Sequence, residues 1–200
     1  MSGSRSTVVG RPREFDIDEA LERAMRVFWE QGYEGSSLTD LTGAMGITKT
    51  SMYAAFGNKE QLFRKALERY TEGPASYTAR ALREPTARGA AEAFLRGAVR
   101  ATTLAGPPGC LVVQGALASG AGNRTPHDLL ADWRRTSGLH LEERFRRAAD
   151  EGDLPPGTDP RRLARYVVTL GFGIAVQAAD GVGHDELQAL VDTSLRHWPL

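Results

Sequence analysis

The sequence predicts an all-α fold of about nine helices. Three observations support this prediction. Apolar residues recur at helical spacing along most of the 200 residues. Stretches rich in Gly and Pro, at 106–109 and 154–157, separate those segments. A convincing run of alternating strand-like residues is missing from the sequence.

The composition is that of an ordinary globular protein, with 41% hydrophobic and 25% charged residues. The lone Cys110 excludes an internal disulfide. The N-terminus lacks the apolar stretch of a signal peptide, and no segment reaches the roughly 18 apolar residues of a membrane helix. We therefore expect a cytoplasmic protein without a membrane partner. The four histidines lack the spacing of a metal site, so we expect no metal and no cofactor: His127, His140, His184 and His197.

Charge is segregated along the N-terminal third, although the formal net charge is zero. Residues 1–13 carry three arginines and no acid, residues 14–40 carry eight acids and two arginines, and residues 41–70 carry five bases and two acids. A phosphate backbone responds to the local potential and not to the sum over the chain. A net charge of zero therefore does not exclude nucleic acid as a partner.

The first predicted helix spans roughly residues 17–31. Ile17, Leu21, Ala24 and Phe28 share one face at positions i, i+4, i+7 and i+11. Gly32 supplies its stop.

Three shorter helices follow, each with its own N-terminal signal. Ser37 and Asp40 form a capping-box pattern that opens the second helix, which Gly46 ends. Thr48 is the N-cap candidate of the third helix, which ends near residues 56–57. Asn58, with Gln61 three residues later, opens the fourth.

Residues 37–56 have the form of a helix-turn-helix, with a capped helix, a short turn containing Gly and a second capped helix. The second helix begins Thr48-Lys49-Thr50-Ser51, whose hydroxyl and cationic groups suit base edges and phosphates in a major groove. The alternative is that these are only the capping residues of a surface helix.

The longer pattern favours DNA binding, because residues 46–63 (GITKTSMYAAFGNKEQLF) closely resemble the signature of the TetR family of bacterial regulators. The family's small and aliphatic residues precede a Ser or Thr, a Tyr and a Phe follow two residues apart, and Lys-Glu-x-Leu comes next. Residues 10–13 (GRPR) and 28–37 also resemble the family. The resemblance covers roughly residues 10–70.

The resemblance implies which residues meet DNA. Thr48, Lys49 and Thr50 would approach bases, Tyr53 and Lys59 would hold phosphates, and two residues at the start of the second helix would hold the backbone on the other side, namely Ser37 and Thr39. Tyr53 as a core aromatic and Lys59 as a solvated surface lysine are the alternatives. Ala55 replaces a frequent His, and Leu41-Thr42 replaces the usual Ile-Ala, so the operator sequence is left open.

We accordingly divide the chain into four parts. Residues 1–13 are a flexible basic arm, 14–57 a three-helix DNA-binding domain, 58–72 a connecting helix, and 73–200 a ligand-binding and dimerisation domain. Within the arm, Arg11 and Arg13 either are disordered or reach phosphates or a minor groove.

For the C-terminal part we predict helices at roughly 87–105, 109–120, 126–150, 159–180 and 184–197. Here the resemblance is thin and implies a ligand cavity and a homodimer built from the last two helices. Two apolar stripes could serve either as half of that interface or as core: Leu163, Val167, Leu170, Ile174, Leu187, Leu190, Val191 and Leu195. Gly171 and Gly173 each cost about 1 kcal/mol in a helix relative to Ala. A close helix crossing or a cavity wall would explain them.

Candidate ligand contacts are aromatic, aliphatic and amide side chains, each of which could equally be core: Phe94, Cys110, Leu111, Gln114, Trp133, Phe145, Tyr166, Phe172 and Gln177. Cys110 stands at a predicted helix start, where a thiol pKa can be depressed, so a redox- or electrophile-sensing regulator is an alternative. A buried, inert cysteine is the simpler interpretation.

These observations predict a ligand-responsive transcriptional regulator, a repressor that binds a palindromic operator in double-stranded DNA as a dimer and leaves it when a small molecule binds. A small helical enzyme is the second hypothesis, but no nucleophile–base pair, metal cluster or phosphate loop has a recognisable spacing. A plain helical interaction module is the third, and it gives the capped turn at Gly46 no purpose.

Overall fold

A computed structural model describes residues 15–117, 124–196 and 198. Those residues form ten α-helices and one 3₁₀ turn, and no strand occurs among them. The helices are α1 (Ile17–Gly35), α2 (Leu38–Met45), α3 (Lys49–Phe56), α4 (Lys59–Glu72), α5 (Tyr77–Ala81), α6 (Ala87–Thr103), α7 (Leu111–Leu117), α8 (Arg124–Asp150), α9 (Pro160–Ala179) and α10 (His184–Arg196). The all-α prediction is confirmed. The predicted basic arm lies outside the described residues.

The helix that sequence reasoning missed is α5. It is five residues long, follows the 3₁₀ turn Pro74–Ser76 directly, and has no side-chain cap. A helix this short shows no apolar periodicity, and Ser76 at its N-cap donates its hydroxyl to the Gly73 carbonyl and makes no capping bond.

Gly32 ends the regular part of α1, as predicted, but the chain does not leave the helix there. Gly32 has φ +70° and ψ 175°, and one further helical turn follows up to Gly35. The kink places Tyr33 beside Phe28 and Phe63, with ring centroids 6.2 and 5.2 Å away. An irregular glycine in the helix therefore builds part of the aromatic core under the N-terminal helices.

The long C-terminal helices pack with α6 against α9 and α9 against α8. A Cβ on Gly171 of α9 would lie 2.7 Å from Cε1 of Phe94 on α6, so this glycine permits a close helix crossing, as predicted. Gly173 is different, because a Cβ there would meet nothing within 4 Å. The close-crossing explanation is wrong for Gly173.

Candidate nucleic-acid interface

The first helices are held in place by side-chain caps. The Ser37 hydroxyl accepts from Asp40 N–H (3.1 Å), and the Asp40 carboxylate accepts from Ser37 N–H (2.8 Å). Hydrogen bonding of the Asp40 carboxylate to the Ser37 side chain and to the Ser37 N–H lowers the pKa of Asp40. Thr48 caps α3 through Ser51 N–H (3.1 Å), and Asn58 and Gln61 cap α4 reciprocally (2.9 Å each). All three predicted caps are confirmed.

The turn between α2 and α3 is made by Gly46, which adopts the left-handed conformation at φ +68° and ψ 29°. Its N–H and that of Ile47 donate to the Gly43 and Thr42 carbonyls, as in a helix C-cap. This pattern ends α2 and lets α3 start at Lys49, three residues after Gly46. The angle between the two helices of the motif therefore depends on a glycine that a side chain would strain.

Helix α3 has one buried and one exposed side. Met52 and Phe56 have 0% and 3% of their surface exposed and anchor the helix on the core. Thr48, Lys49 and Thr50 are exposed at its N-terminus. The first turn carries no acid, and Lys49 has no ion-pair partner among the described residues. The free N–H groups and positive end of the dipole at this helix start favour an anion.

Tyr53 extends the exposed side of α3 by one turn. It is 48% exposed, which removes the alternative that it is a core aromatic. Because the side chain lies on the exposed side of α3, its hydroxyl can reach a phosphate group of a nucleic acid that lies against this helix.

Lys59 is partly buried and is not a freely solvated lysine. Its Nζ lies 4.4 Å from the centre of the Tyr33 ring. Burial lowers its pKa, and the neighbouring Glu34 opposes that shift. A cation held over an aromatic ring has restricted freedom, so Lys59 is pre-positioned near the start of α4. Of the other two predicted contacts, Thr39 is exposed, whereas the exposed Ser37 already uses its hydroxyl oxygen as a cap.

Some of the acidic residues of α1 form ion pairs with arginines. Glu19 pairs with Arg23, and Glu22 pairs with both Arg26 and Arg69. The Arg69 contact, at 2.8 Å, joins the first helix to α4. These pairs offset part of the negative charge that the sequence shows between residues 14 and 40.

The segment between α6 and α7 links these helices to the C-terminal region. Trp29 Nε1 of α1 donates to the Gly109 carbonyl at 3.2 Å, and the Tyr70 hydroxyl of α4 donates to Cys110 Sγ, also at 3.2 Å. Trp29 and Tyr70 also meet edge to face, with ring centroids 4.9 Å apart. We call this cluster of Trp29, Tyr70, Gly109 and Cys110 the joint. Sequence reasoning missed the joint because its members lie 40 to 80 residues apart in the chain.

Cys110 is buried, and desolvation raises the pKa of its thiol; the hydrogen bond from Tyr70 only partly opposes this shift. This opposes the depressed thiol pKa on which the sensing alternative depends and favours the simpler interpretation of a buried cysteine. The nearby Gln114 Oε1 is buried and has no hydrogen-bond partner within the described part of the chain. A polar atom left in this state can accept a hydrogen bond from a bound molecule.

The nine predicted ligand contacts are not brought together. Phe94, Cys110, Leu111 and Phe145 are buried in the core, and Gln177 is exposed. Three others line three separate grooves on the surface: Trp133, Tyr166 and Phe172. Helical periodicity identifies neighbours on one helix but not which helices face each other, and this explains the dispersal.

The predicted interface stripes lie mostly inside one chain. Six of the eight side chains are 0–5% exposed, so they have almost no surface to offer a partner: Leu163, Val167, Ile174, Leu187, Val191 and Leu195. They are core residues of one chain, which corrects the prediction for them. Leu190 remains 40% exposed and Leu170 is half-buried.

Exposed apolar surface of the C-terminal region also lies between α8 and α9. A groove of about 770 Å³ there is lined by Leu139, Val168 and Phe172, among other residues. Leu139 is 56% exposed. Arginines surround the groove: Arg134, Arg135, Arg161 and Arg165.

No helix among the described residues is long and apolar enough to cross a membrane. The same residues contain no cluster of three or more His, Cys, Asp or Glu side chains that could hold a metal ion.

Known proteins match the chain over the capped helices and beyond. The family model described as "Bacterial regulatory proteins, tetR family" matches residues 20–66. The transcriptional repressor ComR of Escherichia coli K12 is 31% identical over 193 residues, which cover 95% of this chain and 92% of ComR. Two structures of cysteine mutants of the TetR family transcriptional regulator CifR, complexed with 26-bp double-strand operator DNA, are 46% and 45% identical. They cover 94% and 95% of this chain and 100% of theirs, with TM-scores of 0.88 and 0.90.

Proposed function

This chain belongs to the TetR family of bacterial regulatory proteins, and from that premise we propose that it represses transcription as a homodimer that binds a palindromic operator and is released by a small molecule. It is a DNA-binding transcriptional regulator. The observation that carries the proposal is the acid-free, exposed start of α3 above the buried Met52 and Phe56. The similarity to two operator-bound CifR structures, at TM-scores of 0.88 and 0.90, supports it.

We assign base contacts to Lys49 and Thr50 and phosphate contacts to Thr39, Tyr53 and Lys59. The exposure of Lys49, Thr50 and Tyr53 supports this assignment, because a recognition helix meets base edges with its N-terminal residues. The Thr48 hydroxyl oxygen accepts the capping bond from Ser51 N–H, so Thr48 fixes the start of α3. Its hydroxyl proton can still be donated to the DNA. Ser37 acts in the same way at the start of α2.

Selection from random duplexes, followed by anisotropy titration of the selected site, tests this assignment. We expect Lys49→Ala to weaken binding to the selected site about tenfold or more, which corresponds to the 1–3 kcal/mol of a specific contact. Tyr53→Ala should weaken binding across all sequences with little change in the salt dependence, because the tyrosine is uncharged. Glu186→Gln, on α10, is the surface control. Failure to recover any preferred duplex, or unchanged affinity in both variants, would contradict the proposal.

We place the dimer interface on the groove between α8 and α9. Its apolar floor, the 56% exposure of Leu139 and the burial of the earlier interface candidates support this placement. A pair of helices from each subunit would form a four-helix contact. Two-fold symmetry then presents the two α3 helices to successive major grooves, about 34–36 Å or a somewhat larger spacing apart, which requires a palindromic operator.

Sedimentation velocity of charged variants tests this placement. We expect Leu139→Glu to shift the protein from dimer to monomer, because the desolvation cost of a carboxylate buried in the contact exceeds what pairing with the arginines of the groove returns. Leu104→Glu introduces the same charge at a side chain that is 66% exposed outside the groove, and it should leave the dimer intact. Leu190→Glu tests α10, where the family resemblance alone placed the interface. Dissociation by Leu190→Glu but not by Leu139→Glu would return the interface to α10.

Release by a small molecule requires a route from the C-terminal region to α3. The joint supports such a route, because one segment, Gly109–Cys110, hydrogen-bonds to both α1 and α4. A ligand that binds better to a different arrangement of α4 shifts the population away from the operator-binding geometry.

A further inference from the structure

A groove between α4 and α8 has an aromatic wall and an acidic rim. Its volume is about 340 Å³. Helix α4 contributes Leu67, Glu68, Thr71 and Glu72, and α8 contributes Leu129 and Trp133. Leu67 and Leu129 form an apolar floor of the size that suits a small organic molecule.

The indole of Trp133 is fixed at this groove by hydrogen bonds. Its Nε1 donates to the Thr71 hydroxyl at 2.9 Å, and that hydroxyl donates to the Leu67 carbonyl at 2.9 Å. A ring held in one orientation loses little freedom when a molecule stacks on it. The negative face of an indole attracts cations that approach within about 6 Å of its centre.

The rim of the groove carries two acidic side chains. Glu68 and Glu72 lie one turn apart on α4, both are exposed, and neither forms an ion pair with any described residue. The guanidinium of Arg64, also at the groove, is already paired with Glu60 at 3.0 Å. Lys65 and Arg69 lie beside the same carboxylates in the adjoining groove towards α1, and Arg69 is already paired with Glu22 at 2.8 Å. Glu68 and Glu72 are the acidic groups that face the Trp133 side.

The groove between α8 and α9 has the opposite character. Four arginines and Glu142 line it, so it repels a cation. The two grooves lie on different faces of the C-terminal region, and only the one at Trp133 combines an aromatic wall with unpaired acids.

We propose that the groove between α4 and α8 binds an organic cation, with an ammonium or guanidinium group between Glu68, Glu72 and Trp133 and an apolar body on Leu67 and Leu129. This inference names the chemical class of the small molecule in the proposed function and rests on that function for its regulatory meaning.

Binding at this groove acts directly on the DNA-binding helices. One wall belongs to α4, which begins at the end of the helix-turn-helix, and Thr71 follows Tyr70 of the joint. The affinity for the cation therefore depends on the distance between α4 and α8. A bound cation weakens operator binding, and operator DNA weakens cation binding by the same factor, because coupling between two sites is reciprocal.

Calorimetric titration of the full chain with benzyltrimethylammonium tests the site. Benzylsulfonate has the same benzyl group and the opposite charge, and we expect it to bind at least about tenfold more weakly. The double variant Glu68→Gln, Glu72→Gln should lose about tenfold in affinity for the cation. The control Asp185→Asn, Glu186→Gln makes the same change in net charge on α10 and should leave the affinity unchanged.

Operator titrations with and without the cation complete the experiment. We expect the cation to raise the operator Kd of the wild type and of the control, but not that of the Glu68→Gln, Glu72→Gln variant. Equal binding of both probes, or full affinity in that variant, would overturn the site. Cation binding without a shift in operator Kd would overturn its regulatory role. If the wild type binds no operator at all, the proposed function fails, while the calorimetric result on the groove stands separately.

Discussion

The N-terminal helices and the C-terminal helices are organised by contacts of different range. Caps of α2, α3 and α4 join residues only three apart in the chain. In the C-terminal region, Arg96 of α6 reaches Asp192 of α10, 96 residues away, and Arg144 of α8 donates to the Glu84 carbonyl, 60 residues away. The first region is specified by local sequence, and the second by which helices meet.

This difference has a functional counterpart. A DNA-reading helix must be held at a fixed angle: local caps and a glycine turn set where it begins, and the buried Met52 and Phe56 anchor it on the core. A sensing region must instead have its arrangement altered by a ligand, and side chains that join distant helices are the contacts that such a change rearranges. The joint is where the two kinds of organisation meet.

Phe28 lies in the N-terminal helices, but its packing depends on Phe63, which is distant in the chain. It is fully buried and meets Phe63 edge to face, with ring centroids 5.0 Å apart. We expect Phe28→Ala to lower the free energy of unfolding by about 3–5 kcal/mol, as large-to-small changes of buried aromatics do. Urea unfolding followed by circular dichroism measures this effect.

Tyr53→Ala is the matched control for Phe28→Ala, because Tyr53 is 48% exposed on α3. It should change the free energy of unfolding by less than about 0.5 kcal/mol while weakening operator binding. Equal destabilisation by the two variants would show that the outer side of α3 is structural and not a binding surface.

The range of the contacts also explains how much the sequence could predict. The caps at Ser37, Thr48 and Asn58, the turn at Gly46 and the exposed start of α3 all follow from residues within a few positions of one another. They were predicted correctly. The family resemblance covers the same stretch, so the DNA-binding region was accessible by two independent arguments.

Contacts between distant helices escaped prediction for a physical reason. The stripe containing Leu163 and Val167 shows an apolar helix face, but periodicity is the same whether that face meets the same chain or a second one. The joint was equally invisible, because Trp29 and Tyr70 are ordinary core aromatics until the fold places them on Gly109 and Cys110. Only the packing of α1, α4, α6 and α7 reveals those partners.

Gly97 of the C-terminal region and Gly43 of the N-terminal region should respond in opposite ways to replacement by Ala. A Cβ on Gly97 of α6 would lie 2.5–2.6 Å from the Tyr77 side chain, so this glycine permits the close approach of α5 to α6. We expect Gly97→Ala to destabilise the protein by about 1–3 kcal/mol, the usual cost of overpacking. Thermal or urea unfolding measures the change.

Gly43→Ala is the counterpart in the local region. A Cβ at this exposed position of α2 would meet nothing within 4 Å, and the residue lies inside the helix. We expect a gain of about 0.5–1 kcal/mol, because Ala loses less backbone entropy in a helix than Gly. A loss at Gly43, or a gain at Gly97, would contradict the division into a locally and a distantly determined region.

The smallest expected effect on operator affinity is that of modifying Cys110, which lies between the two regions at the joint. Burial raises its pKa, so the thiol stays protonated in the folded protein where a free cysteine would ionise. Alkylation by iodoacetamide at pH 8 should be on the order of a hundredfold slower in the folded than in the unfolded chain, because it requires local opening. The raised pKa favours the folded state below the thiol's unfolded pKa, and that contribution is lost as the pH rises through the folded value. Rapid alkylation of the folded protein that also abolished operator binding would restore Cys110 as a sensor, whereas we expect operator affinity after brief iodoacetamide treatment to be unchanged.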